Sequence, residues 1–239
     1  MTPHTVTPHT VSAFDDEFSE LDRLTAEMGG LGEKLLADAF SALERRDPQL
    51  AALVVASDRV IDRMERRLVD RAVLLIAKRQ PVAYDLRHAM AAFKIAGDLE
   101  RVGDLAKNIG KCALAISSEA YPQQLIGGLR HMSELAQRQL KDVLDAFSAR
   151  DADQALAVWR NDERLDALYN SVFRELLTYM MEDPRTIGLC THLLFGAKNM
   201  ERIGDHTTNI AEHVYFLVTG KALTDRPKVE STSHDLPSA

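Results

Sequence analysis

The chain has 239 residues, 46% of them hydrophobic and only 6% aromatic, with a formal charge of −7. Its basic residues are interleaved with acids along the sequence, which argues against a nucleic-acid groove or an anionic membrane surface as ligand and favours a cation or a basic protein patch. No signal peptide opens it and no apolar run nears the ~20 residues that span a bilayer, the stretch from Ala72 to Ala77 being among the longest, so the expectation is a soluble cytoplasmic protein without membrane insertion or nucleic-acid binding.

Residues 1–13 contain Thr-Pro-His-Thr-Val twice in tandem and read as a disordered arm, His4 and His9 included. From Phe14 the hydrophobic period is helical throughout, with no alternation long enough for a strand. The first helix is predicted from Phe14 to Arg46, with Leu21, Leu24, Met28, Leu31, Leu35 and Ala39 at three- and four-residue steps. Gly29, Gly30 and Gly32 are candidate bends, and Asp47-Pro48 ends this helix and starts the next. The second runs from Pro48 to Arg79, where Gln80-Pro81 breaks it, and the third from Tyr84 to Ser117, closed by Tyr121-Pro122. The fourth is predicted over 122–149, the fifth over 151–181 and the sixth over 184–219, with Gly220 as C-cap and a disordered tail over 221–239. Helices this long joined by a few residues must pack antiparallel.

The two halves repeat one another. Asp38-Ala39-Phe40-Ser41-Ala42 recurs as Asp145-Ala146-Phe147-Ser148-Ala149, and Asp58 with Asp62 recurs as Asp162 with Asp166. Glu100-Arg101-Val102-Gly103-Asp104 with Asn108-Ile109 recurs as Glu201-Arg202-Ile203-Gly204-Asp205 with Asn209-Ile210. The order is the same in both copies and the offset falls from 107 to 104 to 101 residues, as short deletions in the connections would produce. The expected fold is therefore all-α: two tandem antiparallel three-helix bundles related by internal duplication, over 14–120 and 121–220.

The repeated phrase carries local penalties. Two acids at i and i+4 repel by about 0.2–0.5 kcal/mol, and a helix-interior Gly costs about 0.5–1 kcal/mol relative to Ala. At ~100° per residue, Glu100, Asp104 and Asn108 form a stripe opposite Ile95, Leu99, Val102, Ala106, Ile109, Ala113 and Ile116; Glu201, Asp205 and Asn209 do the same opposite Ile203, Thr207, Ile210, Val214 and Leu217. Two readings stand. The stripes are solvated faces, or they are surface sites completed by Asp58 and Asp62, or by Asp162 and Asp166, of a neighbouring helix. Carboxylate and amide oxygens suit hard cations such as Mg²⁺, Mn²⁺, Ca²⁺ or iron, and His206 and His213 lie close enough in sequence to join the second set. Gly103 and Gly204 have a plainer reading as points of close helix approach.

Motifs for catalysis are missing: there is no phosphate-binding Gly loop, no nucleophile context and no Glu-x-x-His spacing of the di-iron carboxylate bundles. Cys112 and Cys190 match no ligand spacing and read as free thiols of a reducing compartment. The expectation is a non-enzymatic binding or regulatory protein that requires no cofactor. The alternatives are a helical-bundle metal-storage or oxidoreductase protein using the same carboxylates, and a purely structural scaffold.

Three stretches give the chain a family resemblance: Asp85-Leu86-Arg87; the run from Lys94 through Asp98-Leu99-Glu100-Arg101-Val102-Gly103-Asp104 to Ile109; and Met200-Glu201-Arg202-Ile203-Gly204-Asp205-His206-Thr207-Thr208-Asn209-Ile210-Ala211-Glu212. These resemble the PhoU proteins, accessory regulators of phosphate-specific transport, over about residues 14–220. The resemblance implies a cytoplasmic protein, often a homodimer, that negatively regulates phosphate uptake and the phosphate-starvation response. It implies two partners, the sensor histidine kinase of the phosphate regulon and the ATPase subunit of the phosphate ABC transporter, with this protein as adaptor between them. It also implies surface clusters of iron or other metal ions in some members, here at Asp58, Asp62, Glu100, Asp104 and Asn108, and at Asp162, Asp166, Glu201, Asp205 and Asn209. Val102, Gly110 and Thr207 depart from the residues usual in the family, and none of the three is a ligand position.

Overall fold

The computed structural model describes residues 12–119 and 124–223. Among them are seven α-helices, α1 (Ser12–Arg45), α2 (Pro48–Arg79), α3 (Ala83–Ile116), α4 (Gln124–Ala149), α5 (Ala152–Arg160), α6 (Glu163–Glu182) and α7 (Ile187–Thr219), plus one 3₁₀ turn at Pro184–Thr186 and no strand. The fold is all-α, as expected. Of the arm expected over 1–13, Ser12 and Ala13 belong to α1, while residues 1–11, the tail beyond Leu223 and the Tyr121-Pro122 closure lie outside the described residues.

Cap chemistry sets the corners. Asp47 accepts hydrogen bonds from the Gln49 and Leu50 amides, both at 3.0 Å, and Pro48 occupies the first turn, where its missing N–H costs nothing. Asp151 does the same for Asp153 (2.9 Å) and Gln154 (3.0 Å). The preceding residues, Arg46 and Arg150, are both left-handed, at φ 56° and 55°. Asp47 N–H reaches back to Ala42 O and Asp151 N–H to Ala146 O, each at 2.9 Å. The repeated Asp-Ala-Phe-Ser-Ala phrase thus ends in one and the same turn in both halves. Gly220 caps α7 at φ 71°, its N–H on Phe216 O at 2.8 Å.

The predicted fifth helix is two helices. Asn161 Nδ2 donates to Ala157 O at 2.9 Å, and Asn161 O accepts from Gln139 Nε2 of α4 at 3.1 Å, drawing this carbonyl toward a neighbour. The ladder breaks there, and Asp162 becomes the residue before α6. The first helix, by contrast, runs unbroken through Gly29, Gly30 and Gly32.

One continuous apolar core joins both halves. Leu21, Leu24, Met28, Leu36 and Leu43 of α1 meet Ile61 and Leu68 of α2 and Ile95, Leu99, Ile109 and Ile116 of α3; Leu129, Leu140, Phe147, Leu165, Met200 and Ile210 continue it. The most extensive helix contact is that of α3 with α7, across the two halves. These two run antiparallel, since Arg87 near the start of α3 reaches Leu217 O near the end of α7. Each half thereby places its Gly-Asp phrase on a helix of the central seam.

Candidate functional site

In each half the motif glycine sets how closely the acid-bearing helices approach. A Cβ at Gly103 would lie 2.7 Å from Ile61 Cγ2, and one at Gly204 would lie 2.6 Å from Leu165 Cδ2. These are nearer than carbon atoms pack. Ile61 stands between Asp58 and Asp62, and Leu165 between Asp162 and Asp166, so absence of a side chain brings each Asp pair to its Glu-x-x-x-Asp partner. The plainer reading of the glycines is therefore correct, and it serves the acids.

The two clusters are neutralised differently. In the first, Lys107 Nζ lies 2.5 Å from Asp58 Oδ2 and 2.6 Å from Asp104 Oδ1. Burial alone would lower the Lys107 pKa, yet its hydrogen bonds to the two carboxylates outweigh that and raise it. Arg101 adds contacts at 3.5 Å to Glu100 and to Asp104. Asp58 is only 7% exposed, and its Oδ1 has no hydrogen-bond partner. Glu100 is held above its ordinary value by burial, with Arg101 opposing and Asp104, Asp62 and Glu65 adding to the rise. An ammonium occupies the centre of this site. Asn108 is engaged by Lys111 at 3.4 Å.

In the second, position 208 is Thr. Its hydroxyl shares one proton between Asp162 Oδ1 (2.9 Å) and Gly204 O (3.0 Å), contributing no charge. Asp166, Glu201 and Asp205 each offer one carboxylate oxygen, and the three lie within 4.8 Å of one another. Lys198, half exposed at the rim, pairs with Glu201 at 2.6 Å and sits 5.1 Å from the Tyr169 ring centre. The 2.6 Å contact reaches Glu201 Oε2, which is buried and takes no other hydrogen bond among the described residues. Burial, then Glu201, Asp162 and Asp166, push the Asp205 carboxyl up to about 6 against the pull of Lys198. This is a close set of like charges. Three hard oxygens without thiolate or imidazole are a fitting donor set for Mg²⁺, Mn²⁺ or iron.

His206 and His213 do not join that set. They flank Asp98 of α3 instead, His206 Nδ1 at 2.9 Å from Oδ1 and His213 Nε2 at 3.3 Å from Oδ2, while Asn209 Nδ2 donates to Oδ1 at 3.3 Å. Burial opposes ionisation of Asp98, but these bonds prevail and hold its carboxyl below the usual range. The stripe residue Asn209 is thus turned to the seam, where it ties the halves together. A second tie joins Asp22 of α1 to His88 of α3 (2.7 Å) and to Arg150 after α4 (2.6 Å). Neither was legible in the sequence, because the partners stand 66 to 128 residues apart. The exchange of Lys107 for Thr208 went unread although the sequence carries its signal, both residues standing at the fourth position after the motif glycine. Cys112 and Cys190 are buried free thiols whose pKa burial raises, and neither belongs to a site.

Comparison with known proteins agrees with this duplicated layout. The PhoU domain family matches twice, over residues 25–113 and 129–214. A Rhizobium meliloti protein described as a phosphate-specific transport system accessory protein PhoU homolog is 51% identical over 226 residues, covering 94% of this chain and 95% of its own. A Caulobacter vibrioides protein of the same description is 51% identical over 229 residues, covering 95% and 100%. Among solved structures, PhoU from Pseudomonas aeruginosa superposes with a TM-score of 0.84 at 39% identity, covering 87% of this chain and 100% of the other. The phosphate transport system regulatory protein PhoU from Streptococcus pneumoniae gives 0.81 at 28% identity, covering 88% and 99%.

Proposed function

The chain belongs to the PhoU family, and from that membership we propose that it is an accessory regulator of phosphate-specific transport. The observation that carries this reading is the pair of family domains over 25–113 and 129–214, together with near full-length relatives of that description at 51% identity. The protein acts by binding. It is a cytoplasmic adaptor between the ATPase subunit of a phosphate ABC transporter and the sensor histidine kinase of the phosphate regulon, holding the kinase in its signal-off form when phosphate is plentiful. Such a switch draws its energy from unequal affinity for the two kinase states and needs no chemistry by the adaptor. That no helix among the described residues is long and apolar enough to cross a membrane suits this role.

The second acidic cluster is read as the metal site. Asp166, Glu201 and Asp205, with Asp162 beside them, would hold one hard divalent or iron ion, whose part is to cancel their mutual repulsion and fix α6 against α7. Support comes from three carboxylate oxygens within 4.8 Å of one another and from the raised Asp205 carboxyl. The first cluster has its cation built in as Lys107, and Asp58, Asp62, Glu100 and Asp104 serve there to hold α2 against α3.

The test is a chromosomal deletion complemented by the wild type or by a Glu201→Gln/Asp205→Asn variant, reading phosphate uptake and a kinase-dependent reporter at high and low phosphate. Deletion should derepress the reporter at high phosphate. Unchanged uptake and reporter output would remove the regulatory reading. Elemental analysis of protein purified without chelator, followed by oxygen uptake, separates the adaptor from a storage or redox protein, because sustained oxygen consumption would favour the latter.

A further inference from the structure

The interleaving of charge seen along the sequence is undone by the helix. On α2, Arg59, Arg63, Arg67 and Arg71 follow one another at four-residue steps and form a ridge on the exposed side, with Arg66, Asp70 and Leu74 forming the ridge beside it. At ~100° per residue all seven fall within about 140° of the circumference. Arg63, Arg66, Arg67, Asp70, Arg71 and Leu74 line a shallow open depression there. Arg67 and Arg71 converge on one carboxylate, Glu20 of α1, at 3.3 and 3.5 Å. Arg59, Arg63 and Arg66 meet no carboxylate among the described residues.

Like charges at i and i+4 each cost about 0.2–0.5 kcal/mol, and Glu20 offsets only the Arg67–Arg71 pair. Packing does not explain the rest, since all five guanidiniums face solvent. Guanidinium is the cation that grips carboxylates through paired hydrogen bonds, as Arg79 at the end of the same helix does with Glu17, at 3.0 and 3.1 Å. Exposed aliphatic side chains lie among the charges: Val60 at 39%, Val73 at 52% and Leu74 at 42%. A polyanion such as DNA or an anionic bilayer would meet Asp70 in the middle of the face and a protein of charge −7 around it. A short segment with a few carboxylates and leucines would not.

We infer that the outer face of α2 is a docking surface for an acidic amphipathic helix of a partner protein, with carboxylates at four-residue spacing seated along Arg59, Arg63 and Arg67 and an apolar side chain on Leu74. This rests on the adaptor reading for the existence of such a partner, and not on the metal cluster.

The test uses the full chain and two labelled helical peptides, one with Glu at four-residue steps beside Leu, the other with Gln for every Glu, followed by fluorescence anisotropy. The wild type should bind the Glu peptide at least about tenfold more tightly than the Gln peptide, with the preference shrinking as salt rises. Arg63→Gln/Arg66→Gln/Arg67→Gln should erase that preference, and Arg63→Glu/Arg67→Glu should transfer it to a Lys-bearing peptide. Equal affinity for the Glu and Gln peptides, or a preference that survives the triple substitution, overturns the proposal. So does loss, in the triple variant, of binding to phosphatidylserine vesicles, duplex DNA or a second copy of the chain while the Glu peptide goes unbound. The phosphate-regulated reporter distinguishes the levels: a failed peptide assay beside intact repression sinks the docking surface alone, whereas unaltered output on deletion sinks the regulatory reading.

Discussion

Lys107 and Thr208 occupy the same position in the two repeats and meet their clusters oppositely. Lys107 places an ammonium between Asp58 and Asp104, at 2.5 and 2.6 Å, whereas Thr208 gives Asp162 a neutral hydrogen bond at 2.9 Å and brings no charge to the cluster of Asp166, Glu201 and Asp205. The duplicated motif has become two clusters of different charge, one with an ammonium at its centre and one with a neutral hydroxyl in the matching place.

Lys107→Met follows directly. Losing the ammonium strands the buried Asp58 carboxylate, which should cost about 1–3 kcal/mol in urea unfolding with chelator present. Added Mn²⁺ should recover most of that loss, and the bound stoichiometry should rise from one ion to two. A variant as stable as wild type in chelator, or one indifferent to Mn²⁺, would show that Lys107 is not standing in for a metal.

Asp205 sets a pH dependence whose sign is fixed. Its carboxyl is raised to about 6, so the stability tied to its proton is complete below the ordinary carboxyl range near 4 and is lost as pH climbs through about 6. Metal-free protein at pH 7.5 carries a repulsion that protonation removes. Asp205→Asn should therefore stabilise the metal-free protein by about 1 kcal/mol at pH 7.5, the value being kept small because water screens this half-exposed group. It should have little effect at pH 4.5. Urea titrations in chelator at both pH values check this, and no pH-dependent difference would mean the cluster is not strained.

Much of this was legible in the sequence. Pro48 and Gln80-Pro81 bounded the second helix at its observed ends, Asp47 announced its cap, and the falling repeat offset located the connections. The break at Asn161 was not legible, because it depends on Gln139 of α4, which only the folded chain brings near. The acid stripes were correctly set opposite the apolar side of their helices, but periodicity measures direction and not distance. It could not show that Gly103 and Gly204 draw α2 and α6 close enough to half-bury those acids, nor that His206, His213 and Asn209 turn to Asp98 across the seam.

The glycines make their own prediction. Gly103→Ala should gain about 0.5–1 kcal/mol of helix propensity and lose about 1–3 kcal/mol to the clash with Ile61, a net destabilisation. In an Ile61→Ala background the clash is gone and the same substitution should become neutral or stabilising. A double-mutant cycle in urea measures the coupling. Additive effects would contradict the close approach at 2.7 Å.

Asp22 tests the other tie between the halves. Burial alone would raise its carboxyl pKa, but the hydrogen bond from His88 and the charges of His88 and Arg150 outweigh that and hold it below the usual range. The stability it contributes is therefore present above about pH 4 and fades as pH falls through the lowered value. Asp22→Asn keeps the shape and removes the charge. It should cost about 1–2 kcal/mol at pH 7, the range for a partly screened hydrogen bond to an ion. The cost should shrink as pH falls through that lowered value, because the wild-type carboxyl then takes up its own proton. Because Asp22 joins α1 and α3 to the end of α4, hydrogen exchange at neutral pH should show the Asp22→Asn loss at that junction, with protection where α6 meets α7 unchanged. A destabilisation that stays the same as pH is lowered stepwise from 7 to the acid limit of folding would mean that the carboxylate's charge is not what holds the junction.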